Sequence, residues 1–130
     1  MNKLKVGVIG GTGMVGQRFV SLLAGHPWFD LTVIAASARS AGKTYEDAIG
    51  SRWAIDVPMP ESAKSIIVKD AVGDMEAIAG EVDFVFSLIV PPMRHFGDTI
   101  FLPIKLTEVF LQNKAAILGV FIQNAFFQQV

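Results

Sequence analysis

Four glycines fall within seven residues, Gly10-Gly11-Thr12-Gly13-Met14-Val15-Gly16, in a chain of 130 residues. Gly11-x-Gly13-x-x-Gly16 has the G-x-G-x-x-G spacing, and Gly10 adds an overlapping G-x-x-G-x-x-G. Such a loop suits a dinucleotide diphosphate. Glycines permit the tight turn, the close approach of backbone to phosphate, and close packing of helix on strand. Free N–H groups at the helix start then face the anion along the favourable end of the helix dipole. Taken alone the spacing is a weak signal, because a tight turn without ligand can also collect glycines. Its weight comes from context, a strand before it and a helix after it. The side chains of Met14 and Val15 are expected to pack, while their backbones face the phosphates.

A second cluster lies about 20 residues on, where the choice between nicotinamide cofactors is made. An NAD-type site has an acid there to bond the ribose 2′-hydroxyl. This chain has Ala36-Ser37-Ala38-Arg39-Ser40, with Lys43 close behind. Hydroxyls and cations suit a 2′-phosphate, and Arg39 can grip one through its planar fork. A solvated polar loop is the alternative reading. Together with the glycine loop, the cluster favours NADP.

These residues need a frame. Leu4, Val6, Val8 and Ile9 form a β-branched run expected to be a strand buried on both faces over residues 4–9. Val15, Phe19, Leu22 and Leu23 then form one helical stripe, with Gln17, Arg18 and Ser21 on the other faces. Gly25 and Pro27 stop that helix. A second strand is expected over residues 31–36, a third at Ile66-Ile67-Val68 and a fourth over residues 82–86. A short helix around 73–80 precedes the fourth strand, whereas residues 44–64 show no clean period and read as loop. The order implies a parallel sheet with right-handed crossovers, in strand order 3-2-1-4. The fold class is α/β: a Rossmann-like parallel sheet with flanking helices, incomplete within this chain.

Residues 88–130 form a different region. Pro91-Pro92 and Pro103 break the pattern, and six of the ten phenylalanines gather at Phe96, Phe101, Phe110, Phe121, Phe126 and Phe127. A helix is expected over Thr107 to Val120. The domain division is therefore 1–87, a cofactor-binding unit, and 88–130, a divergent apolar tail.

Composition removes several classes of function. At 52% hydrophobic and 18% charged, the chain has enough apolar content for a folded core. A net charge of −1 offers no long-range attraction to nucleic acid or an anionic membrane. The run Ala115 to Ile122 is too short to span a bilayer, so the expected location is cytoplasmic. With no cysteine, thiolate catalysis and disulfides are excluded within these residues. Asp56, Glu61, Asp70, Asp74 and Glu76 show no metal-ligand spacing, and no metal is expected. His26 reads as a helix-end cap. His95 has no placed partner for catalysis. Trp28 and Phe29 are expected to cover the helix end or the core, and Trp53 to pack.

The segments GGTGMVGQRF, HPWFDLTVIAASARSAGKTYEDA and VDFVFS resemble aspartate-semialdehyde dehydrogenase of the archaeal and fungal branch, over residues 1 to about 87. The resemblance implies an NADPH-dependent, phosphate-releasing reduction of aspartyl phosphate to aspartate semialdehyde, towards lysine, methionine and threonine. It implies that Thr12, Gly13, Met14 and Val15 cradle the diphosphate, beside Gly10 and Gly16. It assigns Ser37, Arg39 and Ser40 to the 2′-phosphate and Ser87 to the nicotinamide side. The family's cysteine nucleophile and histidine acid/base come later in its chain, and full-length members are homo-oligomers. Without the nucleophile, cofactor binding without turnover is expected here. The divergence after Ser87 implies a truncated, frame-shifted or rearranged product, whose exposed sheet edge would favour self-association. The alternatives are a fragment of N-acetyl-glutamyl-phosphate reductase or malonyl-CoA reductase, and a stand-alone nucleotide-binding module.

Overall fold

The computed structural model describes residues 3–88 and the backbone of 116–119. Strand β1 (Leu4–Ile9) lies at the centre of a parallel sheet, hydrogen-bonded to β2 (Phe29–Ala36) on one side and β4 (Phe84–Ser87) on the other. The sheet continues outward through β3 (Lys69–Asp70) and β5 (Ala116–Gly119), giving the order β3-β2-β1-β4-β5. The first four strands thus lie in the expected order.

Alternation along the strands divides the core into two layers. Val6, Val8, Ile34, Ala36 and Phe84 pack with Val20 and Leu23 of α1 (Met14–Leu23). Ile9, Val33, Ala35 and Val85 pack on the opposite face with Met75, Ile78 and Ala79 of α4 (Met75–Glu81). Burying a side chain such as Ile34 contributes about 2–3 kcal/mol, which is why a strand covered on both faces reads as an unbroken apolar run. At the amino end of the sheet the Lys5 amide donates to Asp83 Oδ2 and the Asp83 amide to the Lys5 carbonyl, each at 2.7 Å. These two bonds fix the register of β1 on β4.

Several local expectations need correction. Leu22 is 63% exposed; the buried face of α1 is Gly16, Gln17, Val20 and Leu23. A helix seated on a glycine loop turns its small residue inward, and that rotates Leu22 out. The third apolar run is not itself the strand. Ile67 makes only an isolated antiparallel bridge to Thr44, and the parallel pairing falls on the next two residues, Lys69 and Asp70. Residues 44–64 are not simply loop. They contain α2 (Tyr45–Ile49), a 3-10 turn (Gly50–Arg52) and α3 (Glu61–Lys64). These pieces are too short to reveal a period, but Thr44 caps α2 by accepting from the Asp47 amide at 3.2 Å. Of the helix expected over 107–120, residues 116–119 are instead the strand β5. A short apolar run has no intrinsic period, and pairing with β4 decides its form. The remainder of that segment, His95 and the six tail phenylalanines lie outside the described residues.

Trp28, 63% exposed, lies edge-on to His26 just past the end of α1, with ring centroids 5.7 Å apart, whereas Phe29 packs on the core, its ring 5.2 Å from that of Phe84. His26 acts differently from the cap expected. Its Nδ1 accepts from the Trp28 amide at 3.1 Å, while its own backbone amide donates to the Leu23 carbonyl. Among the described residues no helix is long and apolar enough to cross a membrane.

Candidate functional site

The glycine loop leaves the carboxyl end of β1, between β2 and β4. Chain order runs outward from β1 in both directions there, the switch point at which open α/β sheets form a ligand crevice. Gly10 takes φ 91°, a conformation that L side chains rarely adopt, and its amide and that of Gly11 donate to the Ala35 carbonyl at 2.8 and 3.2 Å. The other glycines differ in what they accommodate. A Cβ on Gly11 would lie 2.5 Å from Ile34 Cγ2, and one on Gly16 would overlap the Gly10 carbonyl oxygen and sit 2.6 Å from Gly11 Cα. Both are glycine because protein fills the space. Gly13, the N-cap of α1, is different: a Cβ there would meet only the Gly10 oxygen, at 3.9 Å. Packing among the described residues does not demand glycine at this position, whereas backbone contact with a diphosphate would.

A cavity of about 520 Å³ opens in front of this loop. Its walls are Gly10, Thr12 and Gly13, then Ala36 to Ala38 after β2, Asp70 to Val72 at β3, and Leu88 after β4. It therefore runs across the carboxyl ends of four strands. Of the residues proposed for the 2′-phosphate, Ser37 lines the cavity, while Arg39, Ser40 and Lys43 are not among its walls. The Ser37 carbonyl accepts from the Ser40 amide at 3.0 Å and the Ala41 amide at 3.2 Å, closing a turn that buries Ser40. Arg39 and Lys43 are exposed, without an ion-pair partner among the described residues. The Lys43 carbonyl accepts from the Val68 amide at 2.8 Å, so the segment is anchored beside β3. No acid occupies the end of β2.

Ser87 is half-buried at the end of β4, paired with Ile9 and so adjacent to the loop. Met14 corrects the packing expectation, being 70% exposed, as the first helical residue at the loop's outer edge. Val15 is half-buried against the core, as expected. Trp53 packs edge-on to Tyr45 and donates Nε1–H to the Val57 carbonyl at 2.7 Å. The described residues hold no cluster of acids and histidines able to bind a metal.

Sequence reasoning missed the roles of Gln17, which it set on an outer face of α1, and of Tyr45. Gln17, buried on the α1 face, donates Nε2–H to the Thr12 carbonyl at 3.0 Å and the Arg52 carbonyl at 3.2 Å. Its Oε1 accepts from the Ala54 amide at 2.8 Å. Tyr45, fully buried, donates its hydroxyl to the Gly11 carbonyl at 2.7 Å. Burial pushes its phenol well above the ordinary tyrosine range, so it remains a donor. Asp70, read from sequence only as one of the scattered acids, also lines the cavity, and its Oδ1 accepts from the Val72 amide at 3.0 Å. The available signals were a polar residue on the buried helix face and the chain's one tyrosine.

A doubly wound sheet, a glycine loop at its switch point and a cavity beyond it define a dinucleotide-binding domain of the Rossmann type. The chain belongs to the family described as semialdehyde dehydrogenase, NAD binding domain, which matches residues 5–89. It is 48% identical over 86 residues to aspartate-semialdehyde dehydrogenase of Methanothermobacter thermautotrophicus, covering 66% of this chain and 23% of the relative. To the Saccharomyces cerevisiae enzyme it is 51% identical over 81 residues, 62% of this chain and 21% of the relative. The chain thus spans under a quarter of the length of these two relatives. The crystal structure of aspartate-semialdehyde dehydrogenase with NADP from Candida albicans superposes with a TM-score of 0.68 at 33% identity, over 89% of this chain and 29% of that one. A Vibrio cholerae aspartate-semialdehyde dehydrogenase II, at 18% identity and a TM-score of 0.57, agrees in fold.

Proposed function

We propose that this chain binds NADP in the cavity at the carboxyl end of its sheet, as the cofactor-binding part, residues 1–87, of an aspartate-semialdehyde dehydrogenase. The single observation that carries the reading is Gly13, a glycine that no atom of the described residues requires, at the head of α1 on the cavity wall. Thr12, Gly13, Met14 and Val15 offer backbone N–H groups to the diphosphate, with Gly10 and Gly16 shaping the turn. Ser37, Arg39, Ser40 and Lys43 favour the 2′-phosphate, because they supply hydroxyls and cations where an NAD site has an acid. Ser87 stands at the nicotinamide side. The NADP-bound Candida albicans relative supports the cofactor choice.

The bound nicotinamide would supply hydride transfer. The protein's part is to hold and orient it. The 130 residues contain no cysteine, so the thiol that the family's acyl chemistry uses does not come from them. The reading within this chain is binding without turnover, in a cytoplasmic setting, on the route to lysine, methionine and threonine. Self-association belongs to the same reading, through the outer strands β3 and β5 rather than β4, whose edge β5 covers.

Titration calorimetry of the purified chain with NADP and NAD tests the reading. Tighter binding of NADP is expected; a preference for NAD would refute the cofactor choice. An assay with aspartate semialdehyde, phosphate and NADP is expected to show no turnover.

A further inference from the structure

We propose that Tyr45 and Gln17 are positioning residues for the cofactor diphosphate, acting through the two carbonyls they hold. The inference rests on the cofactor reading above. A trans peptide is planar, so the carbonyl of one residue and the N–H of the next point in opposite directions. Tyr45 draws the Gly11 carbonyl into the core at 2.7 Å, and the same peptide then presents the Thr12 N–H on the other side. Gln17 does this one peptide later: it draws in the Thr12 carbonyl at 3.0 Å and turns the Gly13 N–H outward.

Thr12 and Gly13 both line the cavity, and neither backbone N–H donates to a protein acceptor among the described residues. Two consecutive N–H groups directed at one space form a concave anion site. Gly10 and Gly11 cannot contribute, because both of their amides are committed to the Ala35 carbonyl. The supports are rigid. Tyr45 is fully buried and edge-on to Trp53, and Gln17 is tied to the segment after α2 at Arg52 and Ala54. All polar atoms of the buried Gln17 and Tyr45 side chains have partners. The segment 45–54 thus acts as a brace beneath the diphosphate loop, although it does not line the cavity.

The test compares NADP with adenosine 2′-phosphate, which lacks the diphosphate, on the full chain by calorimetry at a temperature where circular dichroism shows each variant folded. Tyr45→Phe and Gln17→Leu are each expected to weaken NADP about tenfold, leaving adenosine 2′-phosphate unchanged. Unchanged NADP affinity in the folded variants, or equal weakening of both ligands, would overturn the assignment. Amide NMR of the unaltered chain covers the case in which a variant does not fold. The Thr12 and Gly13 resonances are expected to move with NADP and stay in place with adenosine 2′-phosphate; indifference to NADP would overturn the proposal. An unaltered chain that binds neither dinucleotide would instead refute the cofactor reading itself.

Discussion

The hydroxyl of Tyr45 meets the carbonyl oxygen of Gly11 at 2.7 Å across 34 positions of sequence, joining the start of α2 to the underside of the glycine loop. It is a buried bond between a neutral donor and a backbone acceptor, so its loss would leave a carbonyl in the core without a partner. Such a deletion costs about 1–3 kcal/mol.

Burial of this phenol gives the chain a measurable alkaline limit. Burial raises the Tyr45 phenol above its ordinary value of 10.0 in the folded state. The unfolded chain therefore releases that proton first. Its stabilising contribution is complete below pH 10 and declines as pH rises above it, by up to about 1.4 kcal/mol per pH unit. Tyr45 is the only tyrosine, so tyrosinate absorbance reports it alone. Absorbance is expected to rise with unfolding rather than before it, and Tyr45→Phe should show a shallower loss of stability above pH 10. Ionisation of tyrosine in a chain still folded by circular dichroism would contradict this.

Gly13 and Gly16 should separate binding from folding. Gly16→Ala forces a methyl against the Gly10 carbonyl and Gly11 Cα, and is expected to destabilise the fold by about 1–3 kcal/mol in urea titrations. Gly13→Ala meets open space, with a cost of about 1 kcal/mol from the weaker N-cap. Calorimetry should nonetheless show the Gly13 variant losing most of its NADP affinity. Equal NADP binding by Gly13→Ala and the unaltered chain would contradict the view that ligand, not protein, requires that glycine.

Arg39 is exposed and unpaired among the described residues, leaving its guanidinium available to a phosphate. Arg39→Ala is expected to weaken NADP about ten- to a hundredfold and to leave NAD nearly unchanged. The NADP preference of the unaltered chain should also shrink at high salt, since an exposed ion pair is screened. A variant with undiminished discrimination would place the 2′-phosphate elsewhere.

Asp70 brings a negative charge to the lining of a cavity proposed to hold an anion. Asp70→Asn keeps an oxygen for the Val72 amide and removes the charge. It should tighten NADP by about two- to fivefold, or about 0.3–1 kcal/mol, in the same titration. Weaker NADP binding by this variant would mean that the carboxylate itself contacts the cofactor.

The frame was legible where one physical signal dominated. β1 and β2 are short, largely apolar runs rich in Val and Ile, and the glycine loop carries its own steric logic, so strand order and loop position followed. Ser37 directly follows β2 and Ser87 ends β4, close to the ends of the strands expected over 31–36 and 82–86. Gln17 escaped notice because an amide on a helix reads as surface, and only three backbone partners brought by other segments make its burial favourable. Tyr45 was hidden by α2, five residues long and lacking a measurable period. The strand at 116–119 depends on pairing with β4, information that a local apolar run does not contain.

The central position of β1 has a kinetic consequence. Its pairing with β2 closes a loop of modest length, but its pairing with β4 joins Ile9 to Ser87, and the amino-end bonds of Lys5 and Asp83 span 78 positions. Contacts between segments so distant form slowly, because the chain loses loop entropy before the pairing stabilises it. The cavity has walls on both sides of that seam. During refolding, competence to bind dinucleotide should therefore lag behind the appearance of helical signal, emerging only when β4 docks.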